Sequence, residues 1–255
     1  MITNAFDEKT EAIITPEAIF GEQQKLCDIS IATFSREIYA TVLETYPNKE
    51  IGQIRAANRI KPIHLLEVDG MEIVFYLSEI GACLAGTDVI EVNWKTGADK
   101  FIFFGSAGAL DKDATKGKYV IPTESYRDEG MSYHYAPPAD YIKIRNAQKL
   151  ADFFSEQGYS HVEGKVWTTD AIYRETRGKV SKRKAQGCIA VEMELSGLQA
   201  ICDFHGFELY DFLVTGDVVD QPKYTPEGLH EANHSLDKFY IALEIANWVK
   251  KNRPL

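Results

Sequence analysis

Two periodicities alternate along this chain of 255 residues. Short apolar runs rich in Ile, Val, Phe and Tyr predict strands over residues 28–33, 63–68, 72–77, 100–104, 119–124, 164–168, 188–191 and 208–214, because such side chains suit a pleated, half-buried surface. Between them, segments with apolar residues every three or four positions predict helices over residues 36–46, 82–95, 144–158, 175–185, 193–205 and 227–251. The last helix gathers Leu236, Phe239, Tyr240, Leu243, Ile245, Ala246 and Val249 mostly on one face, and Pro254 stops it soon after. Asp69-Gly70, between two strands, is a hairpin signal. Early hairpins and later strand–helix alternation predict one domain over residues 1–255, an α/β fold with a three-layer α/β/α arrangement around a central mixed sheet. In such sheets ligands bind beyond the carboxyl ends of the strands.

Charge and composition narrow the function. The formal net charge of −10 repels phosphate backbones and argues against a general nucleic-acid binder. Local arginines still allow a small anionic substrate. The four cysteines (Cys27, Cys83, Cys188 and Cys202) have no metal-type spacing and read as reduced thiols of a cytoplasmic protein. Residues 1–9 are polar and acidic, unlike a secretory leader. No apolar run approaches the roughly 20 residues of a membrane span. His230 and His234 form the one helical histidine pair, without the Glu of a zinc-protease motif beside them. They read as helix surface, and no metal site or organic cofactor is expected.

Three segments carry candidate chemistry. Gly105-Ser106-Ala107-Gly108 follows the apolar run at 101–104. Small residues there let backbone N–H groups approach an oxyanion or a sugar oxygen, with the Ser106 hydroxyl beside them. A plain tight turn would look the same. Glu192-Met193-Glu194 closes another strand. A carboxylate accepts two hydrogen bonds and suits a vicinal diol, while methionine offers an adaptable apolar surface to a sugar. An acidic first helical turn is the bland reading. Asp217 follows Thr215-Gly216 at the end of the last strand, where a partly desolvated carboxyl can deliver a proton to a leaving group. Either it or Asp220 can instead cap a turn.

The order of these segments resembles the nucleoside phosphorylase superfamily, in the branch of bacterial purine nucleoside phosphorylase, uridine phosphorylase and methylthioadenosine nucleosidase. The resemblance runs from about residue 27 onward. It is carried by FGSAGAL at 104–110, GKYVIP at 117–122, TTDAIY at 168–173 and VEME at 191–194. It implies that Glu194 clamps the ribose 2′- and 3′-hydroxyls, with Met193 against the sugar and Glu192 nearby. Ser106, Ala107 and Gly108 would line the substrate. Ile172 takes the place of a base-stacking aromatic, and Arg177, with Arg174 as a lesser candidate, would reach base carbonyls. Asp217 matches a purine-protonating acid, whereas RDEG at 127–130 and SYHY at 132–135 resemble uridine phosphorylases, so the base stays open.

The acceptor is also in question. Arg36, Arg59 and Ser106 match phosphate-binding positions of the resemblance, but a third expected arginine is replaced by Phe103. Losing one charge-assisted contact costs about 1.5–3 kcal/mol. The resemblance implies a phosphorylase that uses inorganic phosphate as co-substrate, with a nucleosidase using water as the alternative and a non-catalytic nucleoside-binding protein as a second. It also implies a homo-oligomer, a dimer or a trimer of dimers, whose partners are small molecules rather than membranes or nucleic acids.

Overall fold

The computed structural model describes residues 1–219 and 224–252, so Asp220 and Pro254 lie outside the described residues. From the amino end, α1 (Pro16–Phe20) precedes β1 (Ile29–Thr33), α2 (Arg36–Thr45), β2 (Asn48–Ala56), β3 (Arg59–Val68) and β4 (Met71–Leu77). There follow α3 (Ala82–Thr96), β5 (Lys100–Ala109), α4 (Lys112–Thr115), β6 (Tyr119–Asp128), α5 (Ser132–Tyr135) and β7 (Tyr141–Lys143). Next come α6 (Ala147–Gln157), β8 (His161–Thr169), α7 (Arg177–Ala185), β9 (Cys188–Glu192), α8 (Leu195–His205) and β10 (Glu208–Val218). The described chain ends with α9 (Leu229–His234) and α10 (Asp237–Lys251).

The expected α/β class with a central mixed sheet is present, but the sheet is not open. β5 pairs with β9 and β10, β10 with β6, β6 with β8, and β8 with β9, which closes a ring of five strands. β1, β4, β3 and β2 extend the sheet outward from β5. Closing a sheet requires its strands to bend. Register shifts mark irregularities at Pro122/Glu124 in β6, at Cys188/Ala190 in β9 opposite Lys165/Val166, and at Thr215/Asp217 in β10.

These pairings explain where the sequence reading fell short. Residues 105–109 continue β5 rather than forming a turn, because β10 and β9 take up their backbone groups. Likewise β10 runs on to Val218, so Asp217 sits within the strand, across a bulge, instead of just past it. The strand β2 was not anticipated. Its NKEIGQIRA run is mostly polar and half of it faces solvent, so pairing with β3, rather than an apolar face, makes it a strand. The predicted final helix is two helices, broken at Ser235 by extended backbone (ψ 126°). The Asp69-Gly70 hairpin is present, both residues having positive φ (51° and 73°) as its twist requires.

Helices cover the core from both sides. On one side, Phe239 of α10 meets Phe75 of β4 edge-on, and Trp248 packs on Phe153 of α6. On the other, α3 and α8 pack together, and α5 packs on α8. Among the described residues no helix is long and apolar enough to cross a membrane.

A tight point near these segments is Gly108, paired with Val191 of β9 on one side and Asp217 of β10 on the other. A Cβ at Gly108 would lie 2.6 Å from Val219 Cγ2 and 3.0 Å from Val191 Cγ1. Gly108→Val is therefore expected to cost about 1–3 kcal/mol by overpacking, measured by urea denaturation. Gly178→Ala, with open space around the new methyl, should be neutral or slightly stabilising. Equal stability of the two variants would contradict this account of the crossing.

Candidate active site

The Gly108 crossing brings the three sequence segments together. Ser106 stands two residues before it on β5, Glu192 one residue after its β9 partner, and Asp217 directly across on β10. The Ser106 hydroxyl donates to Asn233 Oδ1 of α9, while Ala107 is buried beside it.

Glu192 and Glu194 have different duties. Glu192 is 5% exposed. Its Oε2 accepts the N–H groups of Glu194 and Leu195, each at 2.7 Å, and its Oε1 accepts the Thr168 hydroxyl. It thus satisfies the orphan donors at the start of α8. Glu194 is half-buried, and its Oε1 accepts the N–H of Gly81 at 2.6 Å. The N–H of Ala82 donates to the Met193 carbonyl at 2.9 Å, so the start of α3 holds this turn from below. The backbone N–H of Met193 also donates to the Glu194 carboxyl. Burial raises both carboxyls above the ordinary range, and the Glu192 charge adds to the rise at Glu194.

A buried polar network backs this turn. With Thr168 donating to Glu192, Ser125 donates to Thr168 Oγ1 at 2.6 Å, and the N–H of Ser196 reaches the same oxygen at 3.0 Å. Ser196 Oγ donates to Glu129 Oε1 at 2.9 Å, and the Ser132 hydroxyl donates to it too. Arg127 Nε donates to Ser132 Oγ at 2.8 Å, and its Nη1 donates to the Pro137 carbonyl at 2.7 Å. Arg127 is 3% exposed and stacks on Tyr133 at 4.1 Å. The RDEG and SYHY segments are therefore spent largely on internal bonds.

Asp217 is half-buried, and burial raises its carboxyl while the Tyr224 hydroxyl donates to it. Glu175, in the turn before α7, feels burial first and the Asp217 charge second, and its carboxyl is pushed up to about 7. Lys179 opposes the rise. Sequence reasoning missed Glu175 as a site residue because an acidic residue opening a helix is commonplace. Only the fold faces it toward Asp217. Ile172, 54% exposed, lies in the short Ile172–Arg174 turn just before Glu175, and Arg177 begins α7.

The expected arginines are dispersed. Arg36 is exposed at the first turn of α2 and has no ion pair among the described residues. Arg59 is committed to Asp88 at 3.1 Å and Glu79 at 3.6 Å, and Lys61 shares both acids. Phe103 is fully buried between Phe34 and Tyr76, with ring centroids at 5.8 and 6.5 Å.

A model of the phosphorylase superfamily matches residues 28–241. The chain belongs to that superfamily. Among its relatives, a DeoD-type purine nucleoside phosphorylase of Bacillus cereus is 28% identical over 127 residues, covering 48% of this chain and 53% of that protein. An uncharacterized protein of Acanthamoeba polyphaga mimivirus is 26% identical over 61% of this chain and 64% of its own length. The chain thus spans between half and two thirds of these curated relatives. Futalosine hydrolase of Helicobacter pylori shares the superfamily fold, with a TM-score of 0.68 at 18% identity over 86% of this chain and 98% of that one.

The raised Glu175 carboxyl has a measurable consequence. Unfolded, Glu175 ionises near its ordinary value of 4.5, whereas folded it keeps its proton to about 7. Between these values the folded state binds more protons, so its contribution to stability is full below about 4.5, falls as pH rises to about 7, and is flat above. Glu175→Gln should therefore gain stability relative to the parent across that window. Thermal denaturation from pH 4 to 8 measures it, and a constant difference between the two proteins would contradict a raised Glu175 carboxyl.

Proposed function

We propose that this protein cleaves the N-glycosidic bond of a purine nucleoside, with water as the acceptor. The single observation that favours water is the state of the anion seat. Phe103 fills the place of an expected arginine inside an aromatic cluster, and Arg59 is already neutralised by Asp88 and Glu79. A doubly charged phosphate needs converging cationic forks, and neither side chain offers one.

The roles follow from the positions. The carboxylate of Glu194 accepts from the ribose diol, Met193 lies against the sugar, and Glu192 holds the turn in place. Ser106, Ala107 and Gly108 form the wall beneath the sugar. Ile172 contacts the base, and Arg177 donates to a base carbonyl. Asp217, protonated more readily than an ordinary carboxyl because it is buried, donates its proton to a ring nitrogen of the base. The C–N bond breaks with its electron pair leaving on the base. The sugar passes through an oxocarbenium-like state that the Glu194 carboxylate stabilises. Water adds to the anomeric carbon, and its proton restores the acid. The purine preference rests on Asp217 and on the internal engagement of Arg127, Glu129 and Ser132.

Phosphorolysis is a second reading, supported by Arg36. Its unpaired guanidinium follows Ser35 at the start of α2, and Ser35 bonds His234, the neighbour of the Asn233 that holds Ser106. Arg36 and Ser106 are the phosphate contacts that remain in that reading, and the protein would then work as a homo-oligomer.

A panel of nucleosides, assayed for free base with and without phosphate, separates the two readings. Hydrolysis predicts equal rates and free ribose, whereas a strict phosphate requirement with ribose 1-phosphate as product would establish a phosphorylase. Asp217→Asn should lower purine turnover by about 10²–10⁴-fold and spare pyrimidines more. Glu194→Ala should weaken nucleoside binding by about 10–100-fold while leaving free-base binding nearly unchanged. Identical behaviour of the two variants would refute these roles.

A further inference from the structure

His230 and His234, which the sequence presents as helix surface, are not isolated. Glu37, in the first turn of α2, comes up beside them, and one ligand atom from each of the three lies within 4.8 Å of the others. The two imidazole centroids are 4.8 Å apart, and His234 Nε2 lies 3.7 Å from Glu37 Oε1. We propose that Glu37, His230 and His234 form a binding site for a divalent transition metal such as zinc, clamping α9 to α2 at the edge of the active site.

The donor set argues for this class of ion. Two imidazoles and one carboxylate suit zinc and its first-row neighbours, whereas magnesium and calcium prefer all-oxygen shells. Metal–ligand bonds of about 2.0–2.2 Å in a tetrahedral shell place donor atoms roughly 3.4 Å apart. Glu37 and His230 are exposed and His234 is partly so, and small rotations close the remaining gap. One protein-free position is left for water.

A second, independent feature prepares His234. Its Nδ1 is 2.7 Å from Ser35 Oγ, and that oxygen also accepts the N–H of Ile38 at 3.1 Å as the cap of α2. With Nδ1–H donating to the same oxygen, the lone pair of the neutral ring sits on Nε2, the atom facing Glu37. Metal-ligating histidines are commonly oriented through the other ring nitrogen in this way. The negative net charge of the chain favours the approach of a cation.

The clamp has a structural consequence. Asn233 of α9 accepts from Ser106, and Ser35 caps α2, so a metal joining Glu37 to His230 and His234 fixes two walls of the site relative to each other. It is a stabilising ion, and the glycosidic chemistry does not pass through it.

The test uses the full chain without a histidine tag, titrated with zinc chloride by calorimetry and followed by thermal denaturation. One zinc per chain should bind and raise the melting temperature, by linkage to the folded state. His230→Ala and Glu37→Gln should each abolish the 1:1 event and the rise in melting temperature, and Ser35→Ala should weaken binding about tenfold or more. His230 is exposed, so its variant is expected to fold, which circular dichroism checks. No stoichiometric binding, or binding that survives His230→Ala and Glu37→Gln unchanged, as zinc held by a thiol such as Cys83 would be, overturns the proposal.

Discussion

The contact on which the rest of the site depends is the pairing of three strands at Gly108. One residue on β5 is paired with Val191 of β9 and with Asp217 of β10, and a Cβ there would press on the side chains of Val219 and Val191. β9 delivers Glu192 and the turn at Met193-Glu194, and β10 delivers Asp217 through its bulge. A carboxylate in the turn that follows β9 and a protonatable acid on β10 are thereby held on either side of β5. Rigid elements position such groups better than loops do.

The hydrogen-bond network behind Glu192 converts that geometry into a stable one. A buried carboxylate is costly unless donors surround it. Glu192 receives three, and Thr168, Ser125, Ser196, Glu129, Ser132 and Arg127 continue the chain of bonds. The network anchors the start of α8, while the start of α3 supplies Gly81 and Ala82 to the neighbouring turn. Glu192 thus works as a structural carboxylate beside Glu194.

Much of this was legible in the residue pattern, and the failures share causes. Strand positions in the core were readable because Phe101–Phe104 is apolar on both faces and Leu209–Val214 is apolar except for Asp211. Their extensions at Gly105–Ala109 and Thr215–Val218 were not, because glycine and small residues signal a turn when no partner strand is known. The ring closure is a long-range pairing of β10 with both β5 and β6, which no local pattern carries. Residues 191–194 and Asp217 stood out by type and order, yet Glu175 and Tyr224 reach Asp217 only through the fold. Glu37 and His234 are likewise nearly two hundred residues apart in sequence and adjacent in space. Arginine positions were the least transferable. Arg59 occupies a matching place in the chain, but Asp88 and Glu79 claim its charge.

The central claim is that the Gly108 crossing sets Glu194 and Asp217 on opposite ends of one nucleoside. A crystal structure of the Asp217→Asn variant with a purine nucleoside tests it directly, since the slowed variant should hold intact substrate. The account predicts both ribose hydroxyls within about 3 Å of the Glu194 carboxylate and a ring nitrogen of the base at the side chain of residue 217. A ribose bound away from Glu194, or a base that turns from residue 217, would contradict it.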